Sequence, residues 1–132
     1  MMELSEFLAW EAEQPERYEF VGNRPVPLEP STQARSLLIG DIVALLRPAV
    51  RDTGMRVLIN IRVQCGGEVR YPAVVIDAGQ YIPSALEPSR PVAVIDVDRF
   101  RDWCALPSVR YLSMRIGDDP GAVLTLLSKR TK

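Results

Sequence analysis

Hydrophobic and polar positions along the chain alternate between two periods, and the changes of period set out the expected elements. In "ELSEFLAWEAEQPE", Leu4, Phe7, Leu8 and Glu11 fall on one helical side, and Pro15 is expected to end that helix. "RYEFVGNRPVPL" follows as two short strands around Gly22-Asn23, a pair that tolerates positive φ and suits a tight hairpin. The longest helical pattern is "PSTQARSLLIGDIVALLRPAV". Ser31 or Thr32 is the expected cap, Ala34, Leu37, Leu38, Ile42, Leu45 and Leu46 form the apolar stripe, and Pro48 should end or kink the helix.

The period then falls to two. "MRVLINIRVQ" puts Val57, Ile59, Ile61 and Val63 on one face and Leu58, Asn60, Arg62 and Gln64 on the other, as in a half-buried strand. Gly66-Gly67 turns the chain into "VRYPAVVIDAG", read as one buried strand with a proline at its mouth. "PVAVIDV" is the next buried strand, reached through the Pro- and Ser-rich surface loop "YIPSALEPSRP". "RFRDWCALPS" reads as a short helix closed by Pro107. "VRYLSMRI" and "AVLTLLSK" read as two last strands around the turn "GDDPG". The order predicts one α+β domain over residues 1–132, a mixed β-sheet flanked by helices.

Composition adds exclusions. The chain is 47% apolar and 25% charged, with 16 Lys+Arg against 17 Asp+Glu, so no global positive field draws in nucleic acid and any such surface must be local. Fourteen of the basic residues are Arg. The absence of His removes Ser-His-Asp and Cys-His catalysis and the usual transition-metal ligand, leaving only hard cations held by oxygen. "MMELSEFLAW" carries no signal peptide and no apolar run spans a bilayer, so a cytoplasmic chain with no membrane partner is expected. Cys65 and Cys104 are then expected to be reduced and structural.

Three acids interrupt apolar strands: Glu19, Asp77 and Asp96. A buried carboxylate is costly unless it is paired, hydrogen-bonded or bound to metal. With fourteen arginines available, pairing is the ordinary explanation for any one of them. Asp98 follows Asp96 by two residues, which in a regular strand sets both on one face about 6.6 Å apart.

"EFLAWEAEQPERYEFVGNRPV", "RYPAVVID", "PVAVIDV" and "WCALPSVRYL", in that order, resemble the Uma-type restriction endonuclease family, a domain of unknown function in the PD-(D/E)xK nuclease superfamily. The resemblance runs from about Leu4 to Ile116. It implies a restriction-endonuclease-like fold and a site in which carboxylates hold Mg²⁺ or Mn²⁺ while a lysine positions or deprotonates the attacking water. Glu19 matches the family's glutamate in "RYE". Asp96 matches its second strand acid, more usually glutamate. Arg99 is the best match to its lysine, across a shortened loop. The family's "YPD" aspartate is Ala73 here.

These departures imply a degenerate site. Arg99 stays protonated and cannot act as a base, though it can bind phosphate. Asp77 lies about 13 Å along the strand from position 73, too far to share an ion. Asp98 could join Glu19 and Asp96 as the metal ligands of a relocated site, in which case Mg²⁺ or Mn²⁺ is the cofactor; otherwise there is none. Three functions stay open: an impaired nuclease domain that binds nucleic acid or protein, an active Mg²⁺-dependent deoxyribonuclease using Glu19, Asp96 and Asp98, and a structural dimerising subunit. DNA is the nucleic-acid partner the resemblance implies. Gly40, in mid-helix, allows close approach of a strand or of a second subunit, with close intrachain packing the simpler account; a homodimer or other protein partner stays open. Trp10, Trp103 and Tyr111 are better read as packing residues than as base-stacking platforms. Arg35, Arg47 and Arg51 are better read as a solvated helix face than as a phosphate-facing edge.

Overall fold

The computed structural model of the protein describes residues 2–99 and 108–127. The helix expected at "RFRDWCALPS", with Trp103, Cys104 and Pro107, lies almost wholly outside them.

The elements run α1 (Leu4–Glu11), β1 (Tyr18–Val21), β2 (Arg24–Pro27), α2 (Gln33–Val50), β3 (Arg56–Ile59), β4 (Val63–Cys65), β5 (Glu68–Arg70), β6 (Val74–Asp77), β7 (Pro91–Val97), β8 (Arg110–Met114) and a 3-10 helix (Pro120–Leu127). They form two four-stranded sheets. One is antiparallel, in the order β2-β1-β5-β4; the other is mixed, in the order β3-β6-β7-β8, with β7 and β8 parallel. The α+β fold class holds, with the strands divided between two sheets.

The hairpin forms as the dipeptide requires. Gly22 and Asn23 have φ of 62° and 59°, and Val21 pairs with Arg24 across them. Thr32 caps α2, its Oγ1 accepting from Arg35 N at 3.1 Å. Pro48 neither ends nor visibly breaks the helix, which runs on to Val50. It sits in the last turn on the exposed side, where a lost N–H costs one peripheral hydrogen bond. The buried stripe is Leu38, Ile42, Leu46 and Val50, whereas Leu37 is 71% exposed and Ala34 and Leu45 also face outward.

Two expected strands prove to be four. The chain leaves "MRVLINIRVQ" at Asn60, whose φ is 54°, so β3 joins the mixed sheet and β4 the antiparallel one. "VRYPAVVIDAG" divides in the same way at Tyr71-Pro72, with β5 in one sheet and β6 in the other. The expected last strand "AVLTLLSK" is instead a 3-10 helix through Leu127, packed on α2. Short apolar runs do not distinguish strand from buried helix, and Pro120 suits a helix start.

One face of the mixed sheet supplies Val74, Ile76, Ala93, Ile95, Val97 and Met114 to a core closed by α2 and Val123. Towards the other sheet, Val75 and Val94 pack on Val63, with Leu58 and Tyr111 beside them. A third cluster seats α1, with Phe7 stacked on Phe20 at 4.7 Å. Cys65 is disulfide-bonded, a correction to the expected free thiol, since separation in sequence does not limit proximity in space; Cys104, the chain's other cysteine, lies outside the described residues. No helix among the described residues is long and apolar enough to cross a membrane.

Candidate functional site

The site is assembled where the two sheets face one another. β1 carries Glu19, which is buried, and its Oε2 accepts from Tyr71 N at 2.9 Å. β7 carries Asp96, 6% exposed, and its Oδ2 accepts from the Tyr111 hydroxyl of β8 at 3.2 Å. Arg99 follows β7 and brings Nη1 to 3.6 Å from Glu19 Oε2. Glu19, Asp96 and Arg99 are therefore brought together, as their strand positions suggest.

Asp98 is not. It leaves the strand with φ of 56°, which ends the alternation that would have set it beside Asp96. Its N donates to Met114 O at 2.8 Å and its Oδ1 accepts from Ile116 N at 3.1 Å, fastening the end of β8. Among the described residues no group of three or more Asp, Glu or Cys side chains is placed to hold a metal ion.

Ala73 lies at the centre of the question. Val74 pairs with Ile95 and Val75 with Val94, and Ala73 and Asp96 each follow one residue beyond the Val74–Ile95 pair. The pairing with the strand on the other side also continues to this step, Asn60 N donating to Ala73 O at 3.2 Å. Ala73 is wholly buried. Its methyl group belongs to the core closed by α2, with Val74, Ile76 and Ile95, so position 73 supplies no carboxylate to the site.

Guanidinium groups surround the carboxylates. Arg70 of β5 is buried and donates from Nη2 to Glu68 Oε1 at 2.7 Å. Arg35 of α2 reaches the end of β7, its Nε donating to Val97 O at 3.0 Å. Arg47 and Arg51 are exposed. Burial raises the Asp96 carboxyl above the usual carboxylate range; the negative charge of Glu19 adds to this, while Tyr111, Arg99 and Arg70 oppose it without cancelling it. Burial also raises the Tyr111 hydroxyl, together with the charge on Asp96. Arg35 is lowered by burial and by the like charge of Arg99, against the pull of Asp96 and Asp98.

These donors do not fit a divalent cation. Mg²⁺ and Mn²⁺ need several convergent oxygens, and here the two carboxylates each accept a protein hydrogen bond, Glu19 pairs with Arg99, and Asp96 lies in the field of Arg99 and Arg70. The positive charge that would balance the acids is supplied by arginine.

Comparison with known proteins places this arrangement in a fold. No family model matches the sequence, and no curated protein does. Among solved structures, the chain is similar to the crystal structure of a "putative nuclease belonging to DUF820" from Anabaena variabilis ATCC 29413, with a TM-score of 0.59 and 18% identity over 74% of this chain. The fold is restriction-endonuclease-like. The match spans 58% of that neighbour's length, and at this identity the likeness is one of fold. Within the restriction-endonuclease-like frame, Ala73, Asp96 and Arg99 sit at the meeting of β6 and β7 while Glu19 enters from the other sheet.

The other two buried acids among the described residues, Asp77 and Glu11, hold the fold together. Asp77 is buried and accepts from the backbone N of Arg90, Gly79 and Ser89 at 2.7, 3.0 and 3.2 Å, with Arg56 Nη1 at 3.2 Å. Burial pushes its carboxyl up, but those three N–H groups and Arg56 outweigh it and hold the group below its usual value. Glu11 accepts from Tyr18 N at 3.0 Å and from the Tyr71 hydroxyl at 2.8 Å, tying α1 to the sheet. Burial, with Glu11 beside it, drives the Tyr71 hydroxyl well above the usual tyrosine value. Trp10 packs edge-on against Tyr18 at 4.7 Å. Sequence reasoning missed Arg70, although a charged residue inside "EVRYPAVVID" was a signal of the same kind as Glu19.

Proposed function

We propose that this is a nuclease-fold domain that no longer cuts and that binds the backbone of nucleic acid through the arginines of its former cation site. The observation that carries the reading is Arg99 resting on Glu19, 3.6 Å from its Oε2 and in the field of Asp96, while position 73, where the resemblance expects an acid, is a buried alanine. Without the acid at position 73 the site has two carboxylates, and Arg99 has no protonation state in which it can accept a proton from water. Both departures remove catalysis and leave phosphate recognition intact.

The crowding of Arg35 and Arg99 supports an anionic partner. Arg35 is drawn down partly by the like charge of Arg99, so an added phosphate would relieve a repulsion already present. Arg17 extends the basic edge, with its guanidinium 5.3 Å from the Tyr71 ring centre. The surface is local, as a net charge of -1 requires.

The test is binding of labelled duplex DNA across a salt series, with Arg35→Ala and Arg99→Ala. Affinity should fall linearly on a log–log plot, and each variant should reduce the slope by about 1. DNA binding without salt dependence, or none at low salt, sinks the reading and moves the search to a protein partner. Metal-dependent cleavage abolished by Asp96→Ala would show that the catalytic half is wrong.

A further inference from the structure

From the far end of the mixed sheet we infer a second binding site, for a small organic carboxylate with an apolar body. A cavity of about 610 Å³ opens there, between the chain after α2, the starts of β7 and β8, and the 3-10 helix. Its volume falls in the range of roughly 300–1,000 Å³ usual for small-molecule sites. Met55, Val92, Leu126 and Leu127 give it an apolar floor, and Arg90 and Arg110 bring charge to the rim. Val92 lies four residues before Asp96 on β7, about 13 Å away along the strand. The two sites are separate, and this inference does not rest on the nucleic-acid reading.

The charge balance selects the ligand. Among the described residues no acidic side chain lines the cavity, and neither Arg90 nor Arg110 takes part in an ion pair. The nearby acid, Asp77, already accepts from three backbone N–H groups and Arg56. Backbone carbonyls hold both guanidiniums in place: Arg110 Nη1 donates to Thr125 O and Leu126 O, each at 3.3 Å, and Arg90 Nη2 donates to Ala78 O at 3.2 Å. Each retains further N–H groups for a planar two-oxygen acceptor, which a carboxylate supplies. An apolar floor beneath two cations matches an acid carrying a hydrophobic body better than it matches a bare inorganic anion.

The experiment titrates the protein with 2-naphthoate, with 2-naphthylmethanol as the uncharged match and inorganic phosphate as the charge without the body, read by calorimetry and by amide chemical shifts. Naphthoate should bind at least tenfold more tightly than either comparator and shift the amides of Val92 and Leu126. Arg110→Gln should weaken it about tenfold. Because Arg110 also holds the 3-10 helix, Arg90→Gln provides the same test with a lighter structural role, and Val92→Trp should block the floor. Equal binding of the acid and the alcohol, full competition by phosphate, or unchanged affinity in a folded Arg90→Gln variant would each overturn the inference.

Discussion

Replacing Ala73 by Asp buries a third carboxylate near Asp96, the two positions each lying one residue beyond the Val74–Ile95 pair. Directly opposed residues of an antiparallel pair have Cβ atoms roughly 5 Å apart. Two charges at that separation repel by about 3 kcal/mol at an effective dielectric of about 20. Asp96 is already raised by burial and by Glu19, so a further negative charge beside it adds to an existing penalty. Ala73→Asp should therefore lose about 3 kcal/mol of unfolding free energy at pH 7. The sign of the pH dependence follows: the new acid's folded pKa lies above its unfolded value, so the penalty is full at neutral pH and vanishes as protonation reaches the unfolded value. Near pH 4 the loss from ionisation should be about 0.5 kcal/mol, taking an unfolded Asp value of about 3.9. Urea unfolding at pH 7 and pH 4 measures it, and 10 mM Mn²⁺ should return about 1.4 kcal/mol to the variant for a Kd near 1 mM. An equal loss at both pH values, with no effect of Mn²⁺, would mean that a carboxylate at position 73 does not reach the field of Asp96.

Other perturbations address the remaining parts. Asp96→Asn, which keeps an acceptor for Tyr111, should raise thermal stability at neutral pH, with the gain disappearing below about pH 4, because the native carboxyl titrates above its unfolded value. Asp77→Ala should cost about 3–5 kcal/mol in urea unfolding, since three backbone N–H groups and Arg56 lose their acceptor. Asp77 titrates below its unfolded value, so the stability due to its ionisation is present above about pH 4 and lost in stronger acid, and the variant and parent should converge there. Thr32→Ala should cost about 1 kcal/mol through loss of the α2 cap, measured by thermal unfolding.

The fold was legible where one period runs unbroken. The hairpin at Gly22-Asn23 and the cap of α2 follow from local chemistry, and both form as expected. Alternation cannot report that a chain changes sheets without losing its period. At Asn60 a single left-handed residue sends β4 into the antiparallel sheet, while at Tyr71-Pro72 the chain crosses from β5 to β6. In α2, helical spacing identified Leu38, Ile42 and Leu46 but also took in Leu37 and Leu45, because apolar residues encircle this helix.

The site was legible to a similar depth. Glu19 and Asp96 stood out as charges inside apolar strands, and both are buried. Asp98 failed because the two-residue rule needs extended backbone, and a φ of 56° removes it. Tyr111 and Arg70 come from strands distant in sequence, and only the pairing of β7 with β8 and of β4 with β5 reveals their place.

In the reading proposed above, arginine takes the place of a divalent cation beside Glu19 and Asp96. A calorimetric titration of Mn²⁺ into the wild type and Asp96→Ala, at matched salt and neutral pH, tests it most directly. The account predicts no saturable heat from either protein up to millimolar Mn²⁺. Stoichiometric binding to the wild type that Asp96→Ala abolishes would contradict it.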